Sequence, residues 1–186
     1  MLFRSYEFWR DSISQNTSKH QVRVVINGAF FAKYNQPTEI AFGLKSSGKV
    51  ISYGYGLKEF PGLNKTIAWN NATKQVQIAD YDRSTFDNPQ FPEVVGALAE
   101  TAGKRANREL ARTFVGIKDG DGKSETIIVF SSKAAKQVDA VKALGSFGAK
   151  QVAMLDGGGS TGLVVAGKRL IDSGTSVPHA IGFYSK

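Results

Sequence analysis

A single carboxylate, Asp156, stands between an apolar approach and three consecutive glycines in residues 154–163, MLDGGGSTGL. Gly157, Gly158 and Gly159 carry no Cβ, so their backbone N–H groups can come close to a ligand, and the hydroxyls of Ser160 and Thr161 follow directly. Such a loop suits a phosphate; a tight structural turn is the plain alternative. It is not a Walker loop, because no Gly-Lys-Ser/Thr follows, and not a dinucleotide fingerprint, because the residues after it read as strand. Three further side chains carry chemistry. Asn27 in INGAFF can both donate and accept, which suits a sugar hydroxyl or the orientation of a carboxylate, although Asn-Gly also forms turns. Arg112 in ARTFVGI offers a guanidinium that matches phosphate through paired hydrogen bonds, or is a solvated charge at a strand end. His179 in SVPHAIGF is a possible acid or base, with an exposed loop histidine as the alternative.

These groups need a scaffold, and the strand signals supply one. VRVVIN, EIAFGL, KVISYGY, TIAW and QVQIAD are rich in β-branched and aromatic residues, with the turns SSG at 46–48 and NNATK at 70–74 between them. Residues 80–92, DYDRSTFDNPQFP, read as a surface loop, and EVVGALAETAG from residue 93 as a short amphipathic helix ending at Gly103. TFVGIK and ETIIVF form a strand pair joined by DGDGK. A helix follows in SSKAAKQVDAVKALGSFGA, capped by Ser131 or Ser132, with Ala134, Ala135, Val138, Val141 and Leu144 on one face and a stop at Gly145. It leads to the strand QVAML, so the order is strand-helix-strand, with parallel strands and a right-handed crossover expected. Asp156 then stands at the C-terminal end of a strand after a crossover helix, where open α/β sheets place ligands. A hairpin around Gly167 and the strand AIGFYS close the chain. The expected fold is α+β, one domain over 1–186: a mixed, strand-rich sheet with few helices and one crossover before the glycine loop.

Composition narrows the function. The chain has 186 residues with 41% hydrophobic and 22% charged, an ordinary globular balance. It has no cysteine, which removes thiolate metal sites, disulfides and cysteine nucleophiles. A net charge of +8 favours anionic partners. Lys and Arg are dispersed and no nucleic-acid-binding motif is present, so nucleic acid is a disfavoured partner. The N-terminal residues MLFRSYEFWRDSISQ interrupt their apolar stretch with charges, so they do not read as a signal peptide, and no run reaches membrane-span length. A cytoplasmic or phage-associated setting is expected unless a leader has been removed, with no membrane contact; self-association is left open.

In order, these segments resemble the phosphodiester glycosidase domain family. The matching residues are Asn27 to Phe31, PTEIAFGLKSSGKVIS at 37–52, RTFVGI at 112–117, AAKQVDAVKALG at 134–145, LDGGGSTGL at 155–163 and the closing PHAIGFY. The resemblance runs from about residue 22 to the end. Ala29 stands where the family usually has a second glycine, Thr161 and Gly162 where it often has Ser and Thr, and Glu39 where a small residue is common. Residues 86–110 carry little of the family pattern.

The resemblance implies hydrolysis of the bond between a sugar's anomeric carbon and a phosphodiester; no cofactor is expected and no metal ligand is assigned, with metal dependence left open. Asp156 would be nucleophile or base, with Glu39 the next choice among carboxylates and Asp80, Asp82 and Asp172 behind it. Arg112 and the amides of Gly157 and Gly158 would hold phosphate, while Ser160, Thr161 and Asn27 orient the substrate and Gly28, Thr113, Gly159 and His179 complete the surroundings. A phosphate leaving group is already a stable anion, so such an enzyme needs positive charge around the departing oxygens more than a strong general acid. Two rival readings are a non-catalytic sugar-phosphate or polyanion binding module and a nucleotide- or nucleic-acid-directed phosphodiesterase.

Overall fold

Alternation of β-branched and small residues produces twelve strands among the described residues, which in the computed structural model are 21–33, 38–118 and 125–185. In chain order the elements are β1 (Gln21–Asn27), β2 (Leu44–Ser46), β3 (Lys49–Ser52), β4 (Asn64–Asn70), β5 (Gln75–Asp80), α1 (Arg83–Asp87), β6 (Glu93–Ala99), β7 (Leu110–Ile117), β8 (Ile127–Ala135), α2 (Gln137–Ser146), β9 (Gln151–Met154), a 3-10 turn (Gly158–Ser160), β10 (Leu163–Val165), β11 (Lys168–Ile171) and β12 (Ala180–Ser185). The fold class is α+β, as the sequence predicts. The DGDGK turn and the N-terminal residues lie outside the described residues.

The strands form two sheets. A four-stranded sheet runs β11-β10-β1-β12. A larger sheet runs β3-β2-β6-β9-β7-β8, with β4 on the other edge of β6 and β5 beyond it. Every hydrogen-bonded pair is antiparallel. β8 and β9 both pair with β7 from opposite sides, so the two strands joined through α2 run in the same direction with β7 between them.

Packing gives three layers. Ile26 and Ile181 of the small sheet meet Val95, Ala97, Val115, Ile117 and Ala153 of the large sheet. On the other face of the large sheet, Leu98, Phe114 and Met154 pack against Ala140 and Leu144 of α2 and against Phe30 and Phe42. Successive residues Phe114 and Val115 thus serve opposite cores, as the two-residue period of a strand requires.

Several expected elements differ. Residues 93–99 are the strand β6, not a helix, because Val94 through Ala99 are buried on both faces and no polar side is left for solvent. The expected loop at 80–92 contains α1, whose N-terminus is capped by Asp82 accepting from the Ser84 amide at 2.9 Å. EIAFGL is strand only at its end; before it, Ile40 makes a single bridge with Phe31. Helix α2 begins at Gln137, since Ser131 and Ser132 belong to β8, and its first turn is closed by Asp139 accepting from the Lys136 N–H at 3.0 Å. Val138 lies on its solvent side, half exposed. Gly145 stays helical, and the chain turns at Gly148, whose φ of +91° is the left-handed conformation favoured after a helix. The turn at 47–48 and the hairpin at Ala166 and Gly167 match expectation, each with two positive φ values.

Candidate active site

The C-terminal end of β9 and the N-terminal end of β7 lie side by side because the strands are antiparallel. Asp156 leaves one and Arg112 sits near the start of the other. Between them is a cleft of ≈ 260 Å³ lined by Phe30, Lys104, Arg105, Arg112, Asp156 and Gly157, among others. The Asp156 carboxylate accepts from the Gly157 N–H at 2.9 Å and from the Ser160 hydroxyl. Burial pushes its carboxyl above the ordinary value; the Ser160 and Gly157 hydrogen bonds and the Lys104 charge pull it part of the way back.

Each glycine of the loop answers to a different neighbour. A Cβ on Gly157 would lie 2.9 Å from the Ala111 carbonyl oxygen, and one on Gly159 2.8 Å from the Thr175 hydroxyl. Gly158 has φ +61° with open space around it. The glycines therefore let the loop settle against β7 and residue 175, and the Gly157 amide is occupied by Asp156 itself.

Asn27 lies behind the loop, 1% exposed, so it does not reach a substrate directly. Its amide nitrogen donates to the Asp156 carbonyl at 2.7 Å, and its oxygen accepts from the Thr113 hydroxyl at 2.6 Å and the Gly162 N–H at 3.1 Å. It ties the small sheet, β7 and both ends of the glycine loop together. Thr113 is fully buried in that tie, and Thr161 is buried beside it. Asn27-Gly28 is not a turn. Gly28 is glycine because a Cβ there would stand 1.9 Å from Nδ1 of His179. The His179 ring is accordingly no exposed loop group: Nδ1 accepts from the Ala29 N–H at 3.4 Å, and burial pushes the imidazole down to about 4.

Arg112 differs most from expectation. Its guanidinium, 4% exposed with its residue, donates to the carbonyls of Ala135 at 3.3 Å, Lys104 at 2.8 Å, Arg105 at 2.8 Å and Arg108 at 3.2 Å. Four of its five N–H groups are thus spent on backbone, leaving no paired fork for a phosphate. What Arg112 does is fix the loop at 104–108, which carries three cations of its own.

The other carboxylates separate cleanly. Asp80 pairs with Lys65 at 2.6 Å, Asp172 with Arg169 at 2.9 Å, and Asp82 caps α1. Glu39 remains near the site. The Tyr55 phenol is pushed up first by burial and then by the charges of Glu59, Glu39 and Asp156, which puts three carboxylates within electrostatic reach of one hydroxyl. Lys104, Tyr55, Glu59 and Phe60 are the members that sequence reading missed. The one available signal was KRANR, three cations in five residues ahead of a strand. Among the described residues no three His, Asp or Glu side chains group to hold a metal, and no helix is long and apolar enough to cross a membrane.

Comparison with known proteins agrees with this architecture. A family model described as phosphodiester glycosidase matches residues 13–184. The chain shares its fold with the catalytic domain of zebrafish N-acetylglucosamine-1-phosphodiester alpha-N-acetylglucosaminidase auto-inhibited by its pro-peptide, at a TM-score of 0.59 and 16% identity over 90% of this chain and 64% of that one. It shares it also with a hypothetical protein from Synechocystis, at a TM-score of 0.63 and 15% identity over 94% of this chain and 53% of that one. The chain therefore spans less than two thirds of either structure. No curated protein matches it in sequence.

Proposed function

The chain belongs to the phosphodiester glycosidase family, and from that premise we propose that it hydrolyses the bond between a sugar's anomeric carbon and a phosphodiester. The observation that supports this reading is the Asp156 carboxylate, fixed by Ser160 and Gly157, in one cleft with the Lys104 ammonium. A carboxylate meets the positive charge that develops at the anomeric carbon, and cations meet the negative charge on the departing phosphate. In this reading Asp156 attacks that carbon or activates the water that does, and the cleft cations, Lys104 and Arg105, hold phosphate. Asn27, Thr113, Gly28 and Thr161 act from behind by positioning the loop, and Arg112 by positioning residues 104–108. Glu39 or Glu59 supplies the second carboxylate; a separation from Asp156 of about 5 to 5.5 Å goes with retention and about 6.5 to 9.5 Å with inversion.

The test is incubation with a panel of sugar-1-phosphodiesters, nucleotide sugars and short oligonucleotides, with products identified by mass. Free sugar is expected from the wild type, and Asp156→Asn is expected to lose about 10²- to 10⁴-fold in rate while staying folded. Wild-type rates in Asp156→Asn would remove this residue from the mechanism. Binding without any release of sugar favours a binding module, and cleavage of oligonucleotides alone favours a nuclease.

A further inference from the structure

Once the Arg112 guanidinium is committed to backbone carbonyls, the cleft still needs a cation, and the same bonds indicate which. Arg112 holds the Lys104 carbonyl at 2.8 Å, and Gln137, itself buried, holds the adjoining chain by donating to the carbonyls of Glu100 at 3.0 Å and Ala102 at 2.8 Å. The backbone that carries Lys104 is thus pinned from two sides. Its side chain is guided as well. The Nζ atom lies 4.9 Å from the centre of the Phe60 ring and 5.4 Å from that of Phe30, and the negative faces of both rings favour an ammonium there. Among the described residues no carboxylate forms an ion pair with it. Lys104 lines the cleft together with Asp156.

We propose that Lys104 is the residue that receives the leaving phosphate, its ammonium held by Phe30 and Phe60 on the opposite side of the scissile bond from Asp156. The proposal rests on the hydrolytic reading above. As the bond from the anomeric carbon to oxygen breaks, its electron pair stays on the phosphate oxygen, and the diester monoanion becomes a monoester dianion. Water supplies the oxygen of the new sugar hydroxyl; one of its protons stays on that hydroxyl and the other leaves through the carboxylate to solvent. Lys104 meets the added charge. The neighbouring charge of Lys104 also draws the Asp156 carboxyl down, in keeping with the two groups facing one cleft.

The experiment uses methyl phosphate, a simple monoester that mimics the second product, and measures its binding by calorimetry independently of turnover. The variants are Lys104→Gln and Lys104→Arg, with Lys142→Gln on the exposed side of α2 as a control for net charge. Lys104→Gln is expected to bind methyl phosphate about tenfold to a hundredfold more weakly, the size of a lost charge-assisted contact. Lys104→Arg should recover most of this, and Lys142→Gln should bind like the wild type. Equal binding by wild type and Lys104→Gln overturns the proposal, as does absence of binding by the wild type. Failure to release sugar, with Lys104-dependent binding of methyl phosphate intact, counts against the hydrolytic reading and leaves the anion site standing.

Discussion

At the scale of single residues, the Asp156 carboxyl is kept above its ordinary value of 3.8 chiefly by burial. The folded chain therefore keeps this proton over a pH window in which the unfolded chain has lost it. By linkage, stability falls as pH rises through that window and stays lower at neutral pH. Asparagine carries no charge to bury, so Asp156→Asn is expected to melt higher than the wild type at pH 7. Thermal scans of wild type and variant at pH 7 and pH 3 check this, because the difference should shrink where the Asp156 carboxyl is protonated in the folded and the unfolded chain alike. The sequence marks Asp156 as a carboxylate at a strand end before three glycines, and the structure places it in the cleft beside Lys104 and Arg112. The sequence shows Arg112 equally well and misleads about its task, because nothing in ARTFVGI reveals that four carbonyls will surround the guanidinium. Lys104 is invisible for a related reason: its setting comes from Phe30 and Phe60, which the fold brings to it from loops distant in the chain.

At the scale of elements, β6 is where sequence pattern and structure part. Short apolar runs fit helix and strand alike, and EVVGALA has apolar residues at helical spacing. Tertiary placement decides, since β6 has β4 on one edge and both β2 and β9 on the other. Its Gly96 records that crowding. A Cβ there would lie 1.9 Å from the carbonyl oxygen of Phe42 and 2.2 Å from its carbon, and backbone has no rotamer by which to withdraw. Gly96→Ala is expected to cost about 3 kcal/mol or more in urea unfolding, at the upper end of overpacking effects. Gly103→Ala, where a Cβ meets nothing, should stay within about 0.5 kcal/mol. The hairpins were legible because their turns carry local chemistry, as at Gly48 and Gly167, whereas β6 is defined by neighbours far along the chain.

At the scale of the whole molecule, Asn27 joins the small sheet to β7 of the large one beside the candidate site, and the contact of His179 with Gly28 and Ala29 extends the pairing of β1 with β12 up to that point. Nδ1 accepts from Ala29, so the neutral ring carries its proton on Nε2. With a folded value of about 4 against 6.5 for the free side chain, His179 supports the fold fully above pH 6.5 and loses that support as pH falls toward 4. Linkage sets the effect at up to about 3 kcal/mol, reduced by the solvent that reaches the residue's partly exposed surface. Urea midpoints at pH 7 and 4.5 should fall further in Asp156→Asn than in Asp156→Asn with His179→Asn; the shared background removes the opposing carboxyl. The pairing of β1 with β10 and β12 also has a consequence in time. Gln21 lies opposite Ser185 and Val24 opposite Val165, so the first described strand waits on the last ones to be synthesised. Closing so long a loop is slow, and until then the edge of β1 is unpaired and prone to other partners. Asn27 and Gly28 sit on that strand end, so the Asp156 loop gains its backing only when the small sheet closes. During synthesis that backing must wait for β10 and β12, and a ribosome-bound chain that stops short of residue 163 would carry the strands of its large sheet without the support Asn27 gains from the small one.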